Sequence, residues 1–460
     1  MIEDKIKYSK MKNLYMKLPT SGRKIIGTFY SKLPNSLKYG RYYNTNLKNL
    51  NKIIKNKNLY EQIIKEKLIN ILFIAKYKVP FYMEQLKIVN DEELKNYPYE
   101  VLNSLPYITK KQVKNNKDDF LNIDKKIRRK IVRTTTSGSS GNPMDVFYEA
   151  GKTKALELST LHFFWNYFLN INPKELSITL RGNLPINAQV YEYEPIKNSI
   201  IINPNKISIK FLDEIVKIFK NYRISYIEAY YSNIALLTEL LEGHGINVNQ
   251  SLKGILLGSE EVMDTKKIED YWKAPVYSWY GHSENILLAP WDKEKKYIFL
   301  ENIGIVKFDE IQKDIYEIIG SSVDNEVWVL LNYRTGDLAN GVYYRNKDNN
   351  FSYCRNIFGR KSYHAINKNN EKISIGPLLF GIHNDILNLV DEYQIIQKEK
   401  GKLKIIVKIS KLQKINLKEK KMLEKILLTR FEDFDLEFDY SGEMIRVESS
   451  GKKLVFINFL

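Results

Sequence analysis

Residues 132–148 read Val132-Arg133-Thr134-Thr135-Thr136-Ser137-Gly138-Ser139-Ser140-Gly141-Asn142-Pro143-Met144-Asp145-Val146-Phe147-Tyr148. Two apolar, β-prone runs flank a cluster of hydroxyls and glycines, which predicts a strand, an anion-binding loop and a second strand. Gly138 and Gly141 accept positive φ and leave no Cβ in the way, so successive backbone N–H groups can converge on a phosphate. Thr135, Thr136, Ser137, Ser139 and Ser140 add hydroxyl donors. Gly141 leads into Asn142-Pro143 rather than Gly-Lys-Ser/Thr, which argues against an ordinary P-loop NTPase. Taken alone, the stretch fits a Ser/Gly hairpin turn equally well. What lies downstream decides.

Tyr280-Gly281-His282-Ser283-Glu284, Tyr333-Arg334-Thr335-Gly336-Asp337, Gly359-Arg360 and Gly451-Lys452 follow in that order. With this series the chain resembles the adenylate-forming, acyl-CoA synthetase (AMP-binding) superfamily. Ala75-Lys76-Tyr77-Lys78-Val79-Pro80-Phe81-Tyr82, Leu105-Pro106-Tyr107-Ile108-Thr109-Lys110 and Tyr393-Gln394-Ile395-Ile396-Gln397 narrow the resemblance to the phenylacetate-CoA ligase-like branch, which includes the CapK-type proteins of capsular polysaccharide synthesis. It extends over residues 63–460.

A chain of 460 residues exceeds the ~250–300 at which single cores stop growing, so two domains are expected. Apolar residues make up 43% and charged residues 27%, a globular balance. The lone Cys354 excludes an internal disulfide and a Cys-rich zinc site, and reads as a small buried hydrophobe. No apolar run approaches the ~20 residues of a membrane span, and Met1-Ile2-Glu3-Asp4-Lys5 lacks a signal-peptide pattern, so a cytoplasmic location is expected. The net charge of +18 is concentrated at one end: from Lys5 to Tyr60 there are fourteen Lys and Arg and no Asp or Glu. Residues 1–60 are therefore expected to form a basic arm. It is either a solvated extension or a docking element, held at the inner membrane face or on an acidic partner through residues 5–60. No zinc finger, recognition helix or aromatic RNA-reading motif points to nucleic acid.

Apolar spacing predicts an amphipathic helix over 61–76, ended by Pro80. Beyond Ile131, short Ile/Val/Leu runs (176–180, 224–229, 254–258) alternate with helical segments (210–220, 232–241), the rhythm of α/β layers with buried strands. From Tyr297 to Gly341 strand follows strand, predicting an antiparallel β subdomain. After Gly359 the composition shifts to Lys and Glu. The fold class expected is thus α/β: a large multilayer N-terminal adenylation domain at 61–357 and a small α+β C-terminal lid domain at 358–460.

The resemblance implies a chemistry in which two anions, a carboxylate and ATP, must meet, so their charge has to be offset. It implies that the loop Thr135, Thr136, Ser137, Gly138, Ser139, Ser140, Gly141 holds the β- and γ-phosphates. It implies that Tyr280 stacks on adenine and, with Gly281, His282 and Ser283, borders AMP, Ser283 near the α-phosphate. Glu284 would take Mg²⁺, a cation that prefers hard oxygens. Gly258, Ser259 and Glu260 would back the adenine, and Asp337 would accept from the ribose hydroxyls. Arg360 would mark the interdomain hinge and reach the nucleotide, and Lys452 would bridge carboxylate and α-phosphate. His282 reads equally as a wall of the acyl pocket or as a packed histidine. The sequence departs from the family at Met144, where a lysine is frequent, at Asn332, where an arginine is frequent, and at Ser362-Tyr363, where an acid is frequent. Three functions follow: acyl-adenylate formation and transfer to coenzyme A, adenylation with transfer to an amine or sugar hydroxyl, or a degenerate adenylate-binding scaffold. None of the five histidines lies in a His-Glu-x-x-His pattern and Ser137–Gly141 is not a nucleophile elbow, so a hydrolase is not expected.

Overall fold

The computed structural model describes residues 18–135, 144–181, 189–248, 250–260, 262, 265–346, 350–358, 364–375, 386, 389–409, 415–441 and 456–460. Residues 41–60 depart from the expectation of an arm. Helix α1 spans Thr20–Lys32 and α2 spans Arg41–Ile53. α2 buries Tyr43, Asn46, Leu50 and Ile53, spaced as one helical face. The Asn46 amide donates to Ser159 Oγ and Thr160 Oγ1, each at 2.9 Å, and Tyr43 Oη shares a 2.8 Å hydrogen bond with His162 Nδ1. Leu50, Ile53 and Tyr60 belong to the main hydrophobic core. Residues 41–60 are therefore part of the body of the protein. Helix α3, Lys57–Lys78, starts earlier than its periodicity suggests because Asn56 caps it, accepting from the Leu59 N–H at 3.1 Å. It stops at Val79, which Pro80 holds extended.

The hairpin pairs β1 (Ile131–Thr135) with β2 (Asp145–Glu149), Thr135 opposite Asp145; its connecting residues 136–143 lie outside the described residues. Helix α4 (Thr153–Leu169) follows. The largest sheet then takes β3 (Ser177–Leu180), β4 (Tyr191–Glu194), β5 (Ser199–Ile202), β6 (Tyr226–Ala229), β7 (Gly254–Gly258), β8 (Val276–Gly281) and β9 (Leu288–Pro290). Among the described residues its order is β9-β8-β7-β6-β3-β5-β4. The run β8-β7-β6-β3-β5 is parallel, and β9 and β4 close the ends antiparallel. Helices α5 (Leu212–Asn221), α6 (Tyr231–Gly243) and α7 (Lys266–Trp272) make the crossovers. Gly254-Ile255-Leu256-Leu257-Gly258 is buried throughout, as a strand covered on both faces must be.

The antiparallel subdomain consists of β10 (Gly304–Gln312), β11 (Ile315–Ser322) and β12 (Tyr333–Asn340). Ile108-Thr109 adds to it in parallel beside Tyr333-Arg334. Toward the C-terminus β13 (Val390–Glu399), β14 (Lys402–Ile409), helix α8 (Leu417–Arg430), β15 (Asp435–Asp439) and β16 (Phe456–Asn458) form a separate sheet, ordered β15-β14-β13-β16, with one helix. The buried apolar residues fall into two clusters, one running up to Ile357 and the other from Ala365 to Phe456. The architecture is the expected α/β one, a large multilayer part followed by a small α+β part.

Candidate active site

In a parallel sheet the loops leaving the carboxyl ends of the strands form the binding crevice. Here those ends deliver Arg181 after β3, Tyr230 after β6, Ser259 and Glu260 after β7, and His282, Ser283 and Glu284 after β8. Gly258 and Trp279 are register partners on β7 and β8. A Cβ at Gly258 would stand 2.7 Å from the Trp279 indole, so only glycine lets that ring lie against the strand. Ser259 follows at φ 69, turning the chain sharply out of the sheet, and Glu260 is buried.

Tyr280 reaches from this edge to the antiparallel subdomain. Its hydroxyl donates to Asp337 Oδ2 at 2.8 Å, while the Asp337 N–H donates to Thr335 Oγ1 at 3.1 Å. Burial and the adjacent Asp337 carboxylate push the Tyr280 phenol well above its ordinary pKa, so it remains a donor. Its ring lies beside His282, tilted by 51° with centroids 4.9 Å apart, and makes a T-shaped pair with Phe299 at 6.2 Å. Glu284 is nine-tenths buried, with the Tyr333 hydroxyl 3.4 Å from Oε1. Thus four of the site residues read from sequence, Tyr280, His282, Glu284 and Asp337, meet where the two sheets adjoin.

Asn285, at φ 53, closes the turn by donating from Nδ2 to the Ser283 carbonyl at 2.7 Å. Lys154, near the start of α4, donates to Asn285 Oδ1 at 3.3 Å and to Glu157 Oε2 at 2.6 Å, tying the helix after the hairpin to this turn. Beside them lies a small cavity lined by Thr153, Leu156, Glu157, Gly281, His282 and Asn285, among others. Among the described residues His282 Nε2 is buried without a hydrogen-bond partner. The histidine borders this cavity.

At the hairpin, Thr135 is buried on β1 and Asp145 anchors the loop base, accepting from Lys117 Nζ at 2.6 Å and Arg133 Nε at 2.9 Å. Thr136, Ser137, Gly138, Ser139, Ser140, Gly141, Arg360, Ser362, Tyr363 and Lys452 lie outside the described residues. Two departures from the family have a packing reason. Met144 is 1% exposed and part of the main core, no place for a lysine reaching phosphate. Asn332, fully buried at φ 53, donates from Nδ2 to the carbonyls of Leu102 and Leu105 at 2.7 and 2.9 Å. Its Oδ1 accepts from Lys307 Nζ at 3.0 Å. Burial lowers the Lys307 pKa to about 8.

Arg181 was not singled out by motif or spacing. Its guanidinium sits 5.6 and 5.4 Å from the ring centroids of Tyr230 and Trp279, 3.3 Å from Glu228 Oε2 and 3.4 Å from Ser259 Oγ. The available signal was its place: the first residue beyond a buried strand at the carboxyl edge.

No protein-family model matches the chain. In sequence it is 23% identical over 396 residues to Protein CapK of Staphylococcus aureus, covering 82% of this chain and 84% of CapK. In structure it is similar to 2-hydroxyisobutyryl-CoA ligase in complex with 2-HIB-AMP and CoA in the thioesterification state, with TM-score 0.52 and 14% identity over 86% of this chain and 90% of that one. The same ligase in its postadenylation state with R3-HIB-AMP gives TM-score 0.49 and 14% identity over 86% and 88%. The fold is that of the adenylate-forming acyl-CoA ligases, as the motifs led one to expect.

Proposed function

We propose that the chain is an adenylate-forming ligase that activates a carboxylic acid with ATP and then passes the acyl group to a thiol, coenzyme A in the first place. The observation that carries the reading is the Tyr280–Asp337 pair, an aromatic face and a carboxylate with a remaining acceptor oxygen, set at the carboxyl edge of a parallel sheet. A purine needs the first and a cis-diol the second. The similar ligase was solved with an acyl-AMP and CoA, which supports both halves of the reaction.

In the first half an oxygen of the acid's carboxylate bonds to the α-phosphorus of ATP as the bond to pyrophosphate breaks. In this reading Lys452 would offset the charge of the two anions, the loop Thr135–Gly141 would hold the departing phosphates, and Gly258, Ser259, Glu260, Tyr280, Gly281, His282, Ser283 and Asp337 would hold the AMP half. Bound Mg²⁺ would neutralise phosphate charge, and Glu284 is the carboxylate that would hold it. Phosphate oxygens of the nucleotide would complete its shell. In the second half the thiol sulfur bonds to the acyl carbon, AMP leaves, and the thiol proton passes to solvent. One site serves both halves if 358–460 turns as a lid against 61–357 about Arg360, which lies between the last described residue of the first core cluster, Ile357, and the first of the second, Ala365.

A second reading keeps adenylation and gives the acyl group to an amine or a sugar hydroxyl, in line with the relationship to CapK. A third reading, a degenerate adenylate-binding scaffold, rests on the departures at Met144, Asn332 and Ser362-Tyr363. The test is acid-dependent exchange of labelled pyrophosphate into ATP over aryl, fatty, hydroxy and amino acids, with and without coenzyme A. Exchange with one class of acid is expected; ATP binding without exchange across the panel would count against adenylation.

A further inference from the structure

Helix α1 wears its polarity inside out. Its inner side carries Arg23, paired with Glu192, and Gly27, where a Cβ would collide with Pro195. Its outer side presents Ile25 at 72% exposure and Phe29 at 71%, one turn apart, with Ile26 at 42%. Leu37, on the short helix Asn35–Tyr39, is 62% exposed. Isolated apolar residues on a surface need no explanation, but large ones gathered on one helix and its neighbour do.

Charge says what they meet. From Lys5 to Tyr60 no acid interrupts fourteen cations, and Arg41, Lys48, Lys52 and Lys55, which follow Leu37 along the chain, are exposed. A second copy would set like charge against like, whereas an anionic lipid surface offers negative charge and an apolar boundary together. We propose that α1 and Leu37 form a docking face for an anionic membrane surface. Ile25, Ile26, Phe29 and Leu37 enter the headgroup boundary, and the exposed cations Arg41, Lys48, Lys52 and Lys55 add attraction to lipid phosphates. The helix lies in the interface; among the described residues none is long and apolar enough to cross a bilayer.

The experiment is flotation of the full chain with vesicles of phosphatidylcholine alone and of phosphatidylcholine with phosphatidylglycerol. Wild type is expected to bind the anionic vesicles, and the double variant Ile25→Asn, Phe29→Asn to bind about tenfold more weakly or less, with an unchanged melting temperature because both positions face outward. Failure of wild type to bind, or equal binding by the double variant, overturns the proposal. So does a concentration-dependent dimer, or binding to an acidic polypeptide in place of vesicles, that the same substitutions abolish. Activity is not needed for any of these readouts, so they stand apart from the adenylation reading.

Discussion

The hydroxyl of Tyr280 and the carboxylate of Asp337, 57 positions apart in sequence, are joined at 2.8 Å across the boundary between the parallel sheet and the antiparallel subdomain. Tyr280→Phe keeps the ring and removes the donor. AMP affinity is expected to fall about tenfold, the worth of one hydrogen bond to a charged group. Asp337→Ala, which also removes the ribose acceptor, should cost more. Calorimetric titration with AMP measures both, and wild-type affinity in Asp337→Ala would take Asp337 out of the nucleotide site.

Glu284→Gln exchanges a hard anionic oxygen for an amide of the same size. The Mg²⁺ concentration giving half-maximal pyrophosphate exchange is expected to rise about tenfold or more. An unchanged Mg²⁺ dependence would assign the metal elsewhere.

Lys452→Ala should lower adenylation by about a hundredfold or more while ATP still binds, since the charge it offsets is greatest in the transition state. Pyrophosphate exchange and nucleotide titration, run side by side, separate the two effects.

How far the fold could be read in advance depended on where the controlling contacts lie along the chain. The hairpin 131–149 and the strands at 177–180, 226–229 and 254–258 were legible because a buried strand declares itself in a short apolar run. The burial of residues 41–60 was masked by Lys and Asn, although Tyr43, Leu50 and Ile53 share one helical face; Asn46 finds its partners, Ser159 and Thr160, more than a hundred residues away. In the site, Tyr280, Glu284 and Asp337 were legible as members of motifs. Arg181 was not, because its surroundings come from three other strands.

Deleting residues 1–55 should therefore destabilise the protein, not merely free it from a partner. Asn46→Ala alone is expected to cost about 1–3 kcal/mol, the range for a buried polar network losing a member. Denaturant unfolding of the full chain checks this, and a change below ~0.5 kcal/mol would mean that α2 contributes little.

Burial keeps the His162 imidazole neutral, its pKa depressed to about 3 from an ordinary 6.5. Between those values the unfolded chain binds a proton that the folded one refuses, so this group's contribution falls as pH drops from about 6.5 towards 3, by at most about 1.4 kcal/mol per unit. His162→Phe should flatten the dependence of melting temperature on pH between about 4 and about 6. Parallel slopes for the two proteins would show that His162 does not control it.

Asn332 bears on how such a chain can be redesigned. Its left-handed backbone favours asparagine, and its amide joins two carbonyls of the segment 102–105 to the Lys307 ammonium. A consensus approach would restore the arginine frequent in the family. Arginine brings donors and no acceptor, so it would leave Lys307 facing a second cation in a closed space. Here the residue that the resemblance suggests would be the damaging one, and sequence averaging a poor guide to repair.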